Sequence, residues 1–177
     1  MIIRHSASTD LEGIYQLVKE AFETAEESDG SEHDLVRSLT TSQAFVPELS
    51  LVAQAASEEE QLIGYILFTE VTINNATALA LAPLAVKDSY RRQGVGRALI
   101  EAGHNAAKSM GYPLSVVLGS DTYYSQFGYE PATDFGITPP FEVSDQYFRV
   151  YHLTDQLEIK GEVTYAPEFG IKDDLEF

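Results

Sequence analysis

The chain has 177 residues, 44% of them hydrophobic and 22% charged, the length and apolar content of one globular domain with a core of its own. It contains no cysteine, which excludes a disulfide framework, a thiolate metal site and a cysteine nucleophile and is compatible with a reducing cytosol. A formal net charge of −17 and a pI near 4.4 argue against a nucleic-acid partner, because phosphate binding draws its affinity from clustered lysine and arginine.

Residues 1–10 lack the basic segment followed by a long apolar one that a secretory signal requires. The most apolar stretch, residues 76–86, is shorter than the about 20 residues that span a membrane as a helix. A cytoplasmic protein without a membrane partner is the expectation. Residues 1–4 read as a short strand. Thr9 followed by Glu12 is a capping-box pattern, and Leu11, Ile14, Tyr15, Val18 and Phe22 then recur at helical spacing, predicting a helix that ends near Glu23. The acidic stretch 23–29, with Glu23, Glu26, Glu27 and Asp29, reads as a loop. Ser31 is placed to cap a second helix through Ser38. Residues 50–55 read as a strand, 58–61 as its turn, and 62–73 as a long strand that Asn74-Asn75 turns back into 76–86.

Beyond Val86 the pattern changes. Val95, Leu99, Ala102, Ala106 and Met110 repeat every three or four residues and describe an amphipathic helix with a narrow, small-residue face, for which Gly111 is a stop. Residues 114–118 form an apolar run suited to a strand covered on both faces. A short helix is predicted over 121–127, capped through Gly119-Ser120-Asp121 and stopped by Gly128. Residues 148–153 are the clearest strand of the remainder, where Pro139-Pro140 and Pro167 mark irregular connections.

The charge distribution says more than its sum. Of eleven lysines and arginines in the chain, Lys87, Arg91, Arg92 and Arg97 fall within residues 87–97. The order there is strand, Arg91-Arg92-Gln93-Gly94-Val95-Gly96, helix. A helix N-terminus offers backbone N–H groups without intrahelical acceptors and the positive end of the macrodipole, so it favours an anion. Gly94 and Gly96 leave the amides uncovered, and Arg91, Arg92 and Arg97 add charge. A nucleotide P-loop would end in Gly-Lys-Ser/Thr, whereas Gly96 is followed by Arg97-Ala98. A dinucleotide fingerprint would have a small residue where Leu99 stands and an acidic residue on the next strand, 114–118, which has none. His5, His33, His104 and His152 are isolated in sequence, giving no metal-ligand pair, and there is no Gly-x-Ser-x-Gly elbow.

At these residues the sequence resembles the GNAT superfamily of acyl-CoA-dependent N-acyltransferases, whose cofactor motif is Arg/Gln-x-x-Gly-x-Gly/Ala. Pro83-Leu84-Ala85-Val86 is similar to the family's acyl-CoA-binding strand, and Tyr124-Ser125-Gln126-Phe127-Gly128-Tyr129 to its Tyr-x-x-x-Gly-Phe/Tyr motif. Ala-Pro-Leu-Ala-Val at 82–86, the run 123–132 and Pro-Phe-Glu-Val at 140–143 further resemble the YhbS-like bacterial branch. The resemblance implies an α/β (α+β) fold: a mixed, mostly antiparallel twisted sheet of six to seven strands with four helices, splayed between strands 4 and 5. It divides the chain into a domain at 1–154 and a C-terminal extension, 155–177, packed on the same domain. Pro83 cannot donate a ladder hydrogen bond and is expected at a bulge, which would leave amides of Leu84, Ala85 or Val86 free for a pantetheine arm.

The implied activity is transfer of an acetyl group from acetyl-CoA to a primary amine of a small molecule, peptide or protein in a ternary complex, without a metal; the alternative is an acyl-CoA-binding sensor or interaction module without turnover. By family analogy the Tyr124 hydroxyl lies near the sulfur, where a phenol of pKa about 10 can protonate a thiolate, with Tyr123 and Phe127 packing around it. A strand amide near Leu84 would polarise the carbonyl. The base is open between Glu70, His104 and a water chain, with His104 on a helix expected to cover the sheet face away from the amine. The acidic stretch 23–29 would suit a cationic acceptor, and a monomer or homodimer is expected.

Overall fold

In the computed structural model, which describes residues 1–26, 28–57 and 60–171, the described residues form nine strands and four α-helices. In chain order they are β1 (Ile2–His5), α1 (Leu11–Phe22), α2 (Glu32–Leu39), β2 (Phe45–Gln54), β3 (Leu62–Ile73) and β4 (Ala76–Val86), then α3 (Val95–Ser109), β5 (Leu114–Leu118), α4 (Asp121–Ser125), β6 (Glu130–Pro131), β7 (Ile137–Thr138), β8 (Phe148–His152) and β9 (Gly161–Thr164). The sheet runs β1-β2-β3-β4-β5-β8-β6; β9 joins β3 beyond the point where β2 leaves it, and β7 lies on β9. Among the described residues only the β4–β5 and β7–β9 pairs are parallel. This is the mixed, mostly antiparallel sheet flanked by helices that the motifs imply. Glu27, Glu58, Glu59 and residues 172–177 of the extension lie outside the described residues.

Local differences from the sequence reading have local causes. Thr9 does not cap the first helix: a 3-10 turn, Ser8–Asp10, precedes it, and Asp10 accepts from the Ala7 amide at 2.7 Å while Arg4 of β1 grips its carboxylate at 2.7 and 3.0 Å. A carboxylate paired with arginine is a stronger acceptor than a neutral hydroxyl. Ser31 likewise donates its hydroxyl to Asp29 at 2.5 Å and makes no side-chain cap. β2 begins at Phe45, ahead of the expected start at Ser50, and the irregular register between the two, around Pro47, breaks the alternation by which strands are read.

Three apolar clusters sandwich the sheet. On one face Ile66 and Phe68 of β3 and Leu79 and Leu81 of β4 pack beneath Val95, Leu99 and Ile100 of α3. On the other, Tyr65, Leu67 and Ala85 meet Ile14, Leu17 and Val18 of α1 and Val36 and Leu39 of α2. The third cluster joins Val71, Ile73, Ala78 and Ala80 to Val116, Val150 and Val163 of β9. Helices on both faces exclude water from the centre of β3, where Ile66, Leu67 and Phe68 are fully buried.

The feature that positions the site is the bulge at Ala82-Pro83. Ile66 faces Leu84 and Phe68 faces Leu81, so two residues of β4 oppose Leu67 alone. The extra residue reverses the alternation: Leu79 and Leu81 face α3 before it, and Leu84 and Val86 pack on that side after it. On the other edge, pairing with β5 stops at Leu81↔Val117. β4 therefore runs on to Val86 with that edge unpaired, and the sheet opens between β4 and β5.

Candidate active site

Lys87 donates its amide to Ile63 of β3 at 2.9 Å. Since neighbouring residues of a strand point their N–H groups to opposite edges, Ala85 turns toward Tyr65, and Leu84 and Val86 turn toward the opening. Of the three strand amides read from the motif, two therefore face the gap. A cleft of about 910 Å³ fills it. Leu84 and Val86 form one wall, residues 94–97 the second, and Ser120, Tyr123, Tyr124, Gln126 and Phe127 the third, with Ala21 and Phe22 of α1 at one end.

The loop before α3 is built to expose its amides. Arg92 has φ +60 and Gly94, the N-cap position, φ +86, two left-handed residues that turn the chain from β4 into the helix. The first intrahelical bond to the cap is Ala98 N–H to Gly94 O at 3.0 Å, so the amides of Val95, Gly96 and Arg97 have no helical acceptor, and no side chain among the described residues caps them. Arg91 ties the loop to the end of α1 by donating to Ala21 O at 2.9 Å, and it pairs with Asp88 at 3.0 Å. Arg97 lies over the Phe127 ring at 4.9 Å. Gln93 does not line the cleft; its side-chain amide donates to Ser89 O at 3.0 Å and braces the turn.

Tyr124 faces the cleft from α4 and is half-buried. Burial, with Tyr123 beside it, pushes its phenol above the usual 10, so it stays protonated throughout the neutral range. Its ring is boxed by Tyr123 at 5.1 Å and Tyr129 at 5.6 Å, both edge to face. Gly119 supplies the remaining room, since a Cβ there would stand 2.5 Å from the Tyr124 ring. Tyr123 also reaches the helix start, its hydroxyl filling the space where a Gly96 side chain would be. Neither contact was legible in sequence, because both depend on how α4 is laid against α3 and β5; a glycine directly before the Ser120 cap was the only trace.

The two candidate bases are not brought to this cleft. Glu70 lies further along β3 and accepts from the Tyr112 hydroxyl at 2.6 Å, in a separate depression with Thr41, Thr72 and Glu168. His104 is buried beneath α3, stacked on Tyr151 at 4.1 Å and bonded to the Tyr129 hydroxyl at 2.9 Å. Burial pulls its pKa down to about 4. Of the acidic stretch, Asp29 lies with Glu32 and Asp34 around another surface depression.

The family model described as Acetyltransferase (GNAT) domain matches residues 48–131, which spans β4, the arginine-glycine loop and α4. YhbS of Escherichia coli K12, described as an uncharacterized N-acetyltransferase, is 32% identical over 174 residues, covering 96% of this chain and 99% of that protein. The crystal structure of E. coli YhbS in complex with CoA superposes with a TM-score of 0.86 at 31% identity, over 96% of this chain and 91% of that one. A GNAT family acetyltransferase of Brucella melitensis in complex with acetyl-CoA gives 0.78 at 27% identity, over 95% and 97%. An opened β4–β5 edge leading onto an uncapped, arginine-rich helix start thus occurs in a chain related along nearly its whole length to YhbS, and the chain belongs to the GNAT family of acetyltransferases.

Proposed function

We propose that the chain transfers an acetyl group from acetyl-CoA to a primary amine by direct attack in a ternary complex. The observation that carries the proposal is continuity: the free amides of Leu84 and Val86, the uncapped start of α3 and the Tyr124 ring line one cleft. The amides of Val95, Gly96 and Arg97, with Arg91, Arg92 and Arg97 around them, suit a pyrophosphate, and the β4 amides suit the peptide-like pantetheine arm. Bound acetyl-CoA would supply an activated acyl carbon and a thiolate leaving group.

The protein's own part is electrostatic. An amide of Leu84 or Val86 donates to the oxygen on which negative charge grows. Tyr124 holds a proton beside the departing sulfur. As the C–S bond breaks, the sulfur takes the Tyr124 proton, and the tyrosinate regains one of the protons that the attacking nitrogen releases through water, so no buried anion is left behind. No carboxylate or imidazole is among the described residues that line the cleft, so the amine loses its proton to water, and the rate should rise with pH until the free amine predominates. That same observation favours a second reading, an acyl-CoA-binding sensor without turnover.

Calorimetric titration with acetyl-CoA and CoA, followed by thiol release over a panel of amines, separates the two. Binding with turnover of an amine supports the enzyme, and binding with no release across the panel supports the sensor. Binding of neither CoA species would remove both. Tyr124→Phe should lower kcat by roughly a hundredfold or more, the range for a general acid, with acetyl-CoA affinity unchanged. An unaltered kcat would take Tyr124 out of the chemistry.

A further inference from the structure

Tyr129 is almost fully buried, at 1% exposure, and its hydroxyl joins α3, whose start lines the cleft, to β5, the strand that leads into α4. It lies 2.9 Å from His104 Nε2 on α3, the helix whose start forms the anion loop. It lies 3.1 Å from Ser115 Oγ on β5, the strand that separates from β4. A buried hydroxyl needs at least one partner, and here there are two, both from buried side chains. Packing alone does not require this arrangement, because a phenylalanine would fill the ring volume and spare the core three polar groups.

The same residue touches Tyr124 in two ways. Its ring meets the Tyr124 ring edge to face at 5.6 Å, and its backbone N–H donates to Tyr124 O at 3.3 Å. Its own carbonyl is clamped by buried Arg149, whose Nη2 and Nε donate at 3.0 and 3.3 Å. The Tyr124 hydroxyl, by contrast, is not hydrogen-bonded among the described residues, so the phenol is placed by backbone bonds and by packing of its ring, and Tyr129 takes part in both. We propose that Tyr129, held through its hydroxyl by His104 and Ser115, is the positioning residue for Tyr124. It fixes the phenol relative to α3 and β5. The proposal rests on the reading of Tyr124 as the proton donor. Geometry of this kind matters because misplacing a reacting group by about 1 Å costs on the order of a hundredfold in rate.

The test needs no acceptor. The protein is labelled with 13C at tyrosine Cζ, and the Tyr124 resonance among the ten tyrosines is assigned by its loss in Tyr124→Phe. Saturation with CoA, whose thiol stands for the leaving group, should shift that resonance in the wild-type protein. In Tyr129→Phe the shift should be mostly lost while calorimetric CoA affinity is kept, which also shows that the variant is folded. Should that variant fail to fold, Ser115→Ala, which removes one of the two bonds, carries the same comparison and should reduce the shift. A full shift in the folded variant overturns the positioning role alone. CoA binding with no shift in the wild-type protein overturns the reading of Tyr124, and with it this one; absence of CoA binding overturns the proposed function itself.

Discussion

A methyl group at Gly96 would lie 2.3 Å from the Tyr123 hydroxyl and 3.8 Å from Leu84 Cδ2. The reason for glycine visible in sequence, room for a phosphate at the helix start, is therefore joined by a second: room for a side chain from α4. The two separate by substitution. Gly96→Ala should weaken CoA binding, because Tyr123 must shift into the cleft that the cofactor would use. Tyr123→Phe removes the offending atom and leaves the next nearest, Cζ, at 3.7 Å, an ordinary contact. Combined with Gly96→Ala, it should restore affinity measured by calorimetry. If Gly96→Ala alone binds CoA normally, the Tyr123 contact does not constrain the cleft; if the double variant stays weak, it is the approach of the phosphate that the methyl blocks.

At the scale of elements, the pieces with strong periodicity or a chemical signature were legible. β3 and β4 have the bounds their aliphatic runs predict, and α3 starts within the glycine loop. Pro83 gave the bulge from its missing N–H alone. What stayed hidden was set by partners distant in sequence: Arg4 taking Asp10 in place of a Thr9 cap, β9 adding to β3, and α4 laying Tyr123 across Gly96. Within the candidate site, the motif located the loop and Tyr124, but amide direction in β4 follows from ladder register, which no spacing reveals. The loop itself turns on Gly94, whose φ of +86 is strained for any L side chain although a Cβ there would meet nothing within 4 Å. Gly94→Ala is thus expected to cost roughly 1–2 kcal/mol in unfolding free energy through backbone strain, read by urea titration. Gly94→Val adds a branched side chain at a residue that lines the cleft and should abolish CoA binding as well. An alanine variant as stable as the wild-type protein would mean that the loop relaxes out of the left-handed turn.

For the whole molecule, the balance of 28 acidic against 11 basic residues makes pH a revealing variable, and two effects oppose each other. Lowering pH discharges carboxylates and relieves self-repulsion, chiefly as the range near pH 4 is approached. Buried His104 acts earlier and in the other direction. Its folded pKa, about 4, lies below its unfolded value of 6.5, so the unfolded chain binds a proton that the folded chain refuses. The stability this neutral imidazole contributes is complete above pH 6.5 and is lost as pH falls from there toward 4. By linkage the loss between pH 7 and pH 5 is about 2 kcal/mol, before most carboxylates titrate. Chemical unfolding should therefore show falling stability over that interval. His104→Gln keeps a polar partner within reach of the Tyr129 hydroxyl but cannot titrate, so its profile should be flatter by about the same amount. An equally steep fall in the variant would assign the acid sensitivity to groups other than His104 and would show that the α3 face of the core admits a charged imidazole.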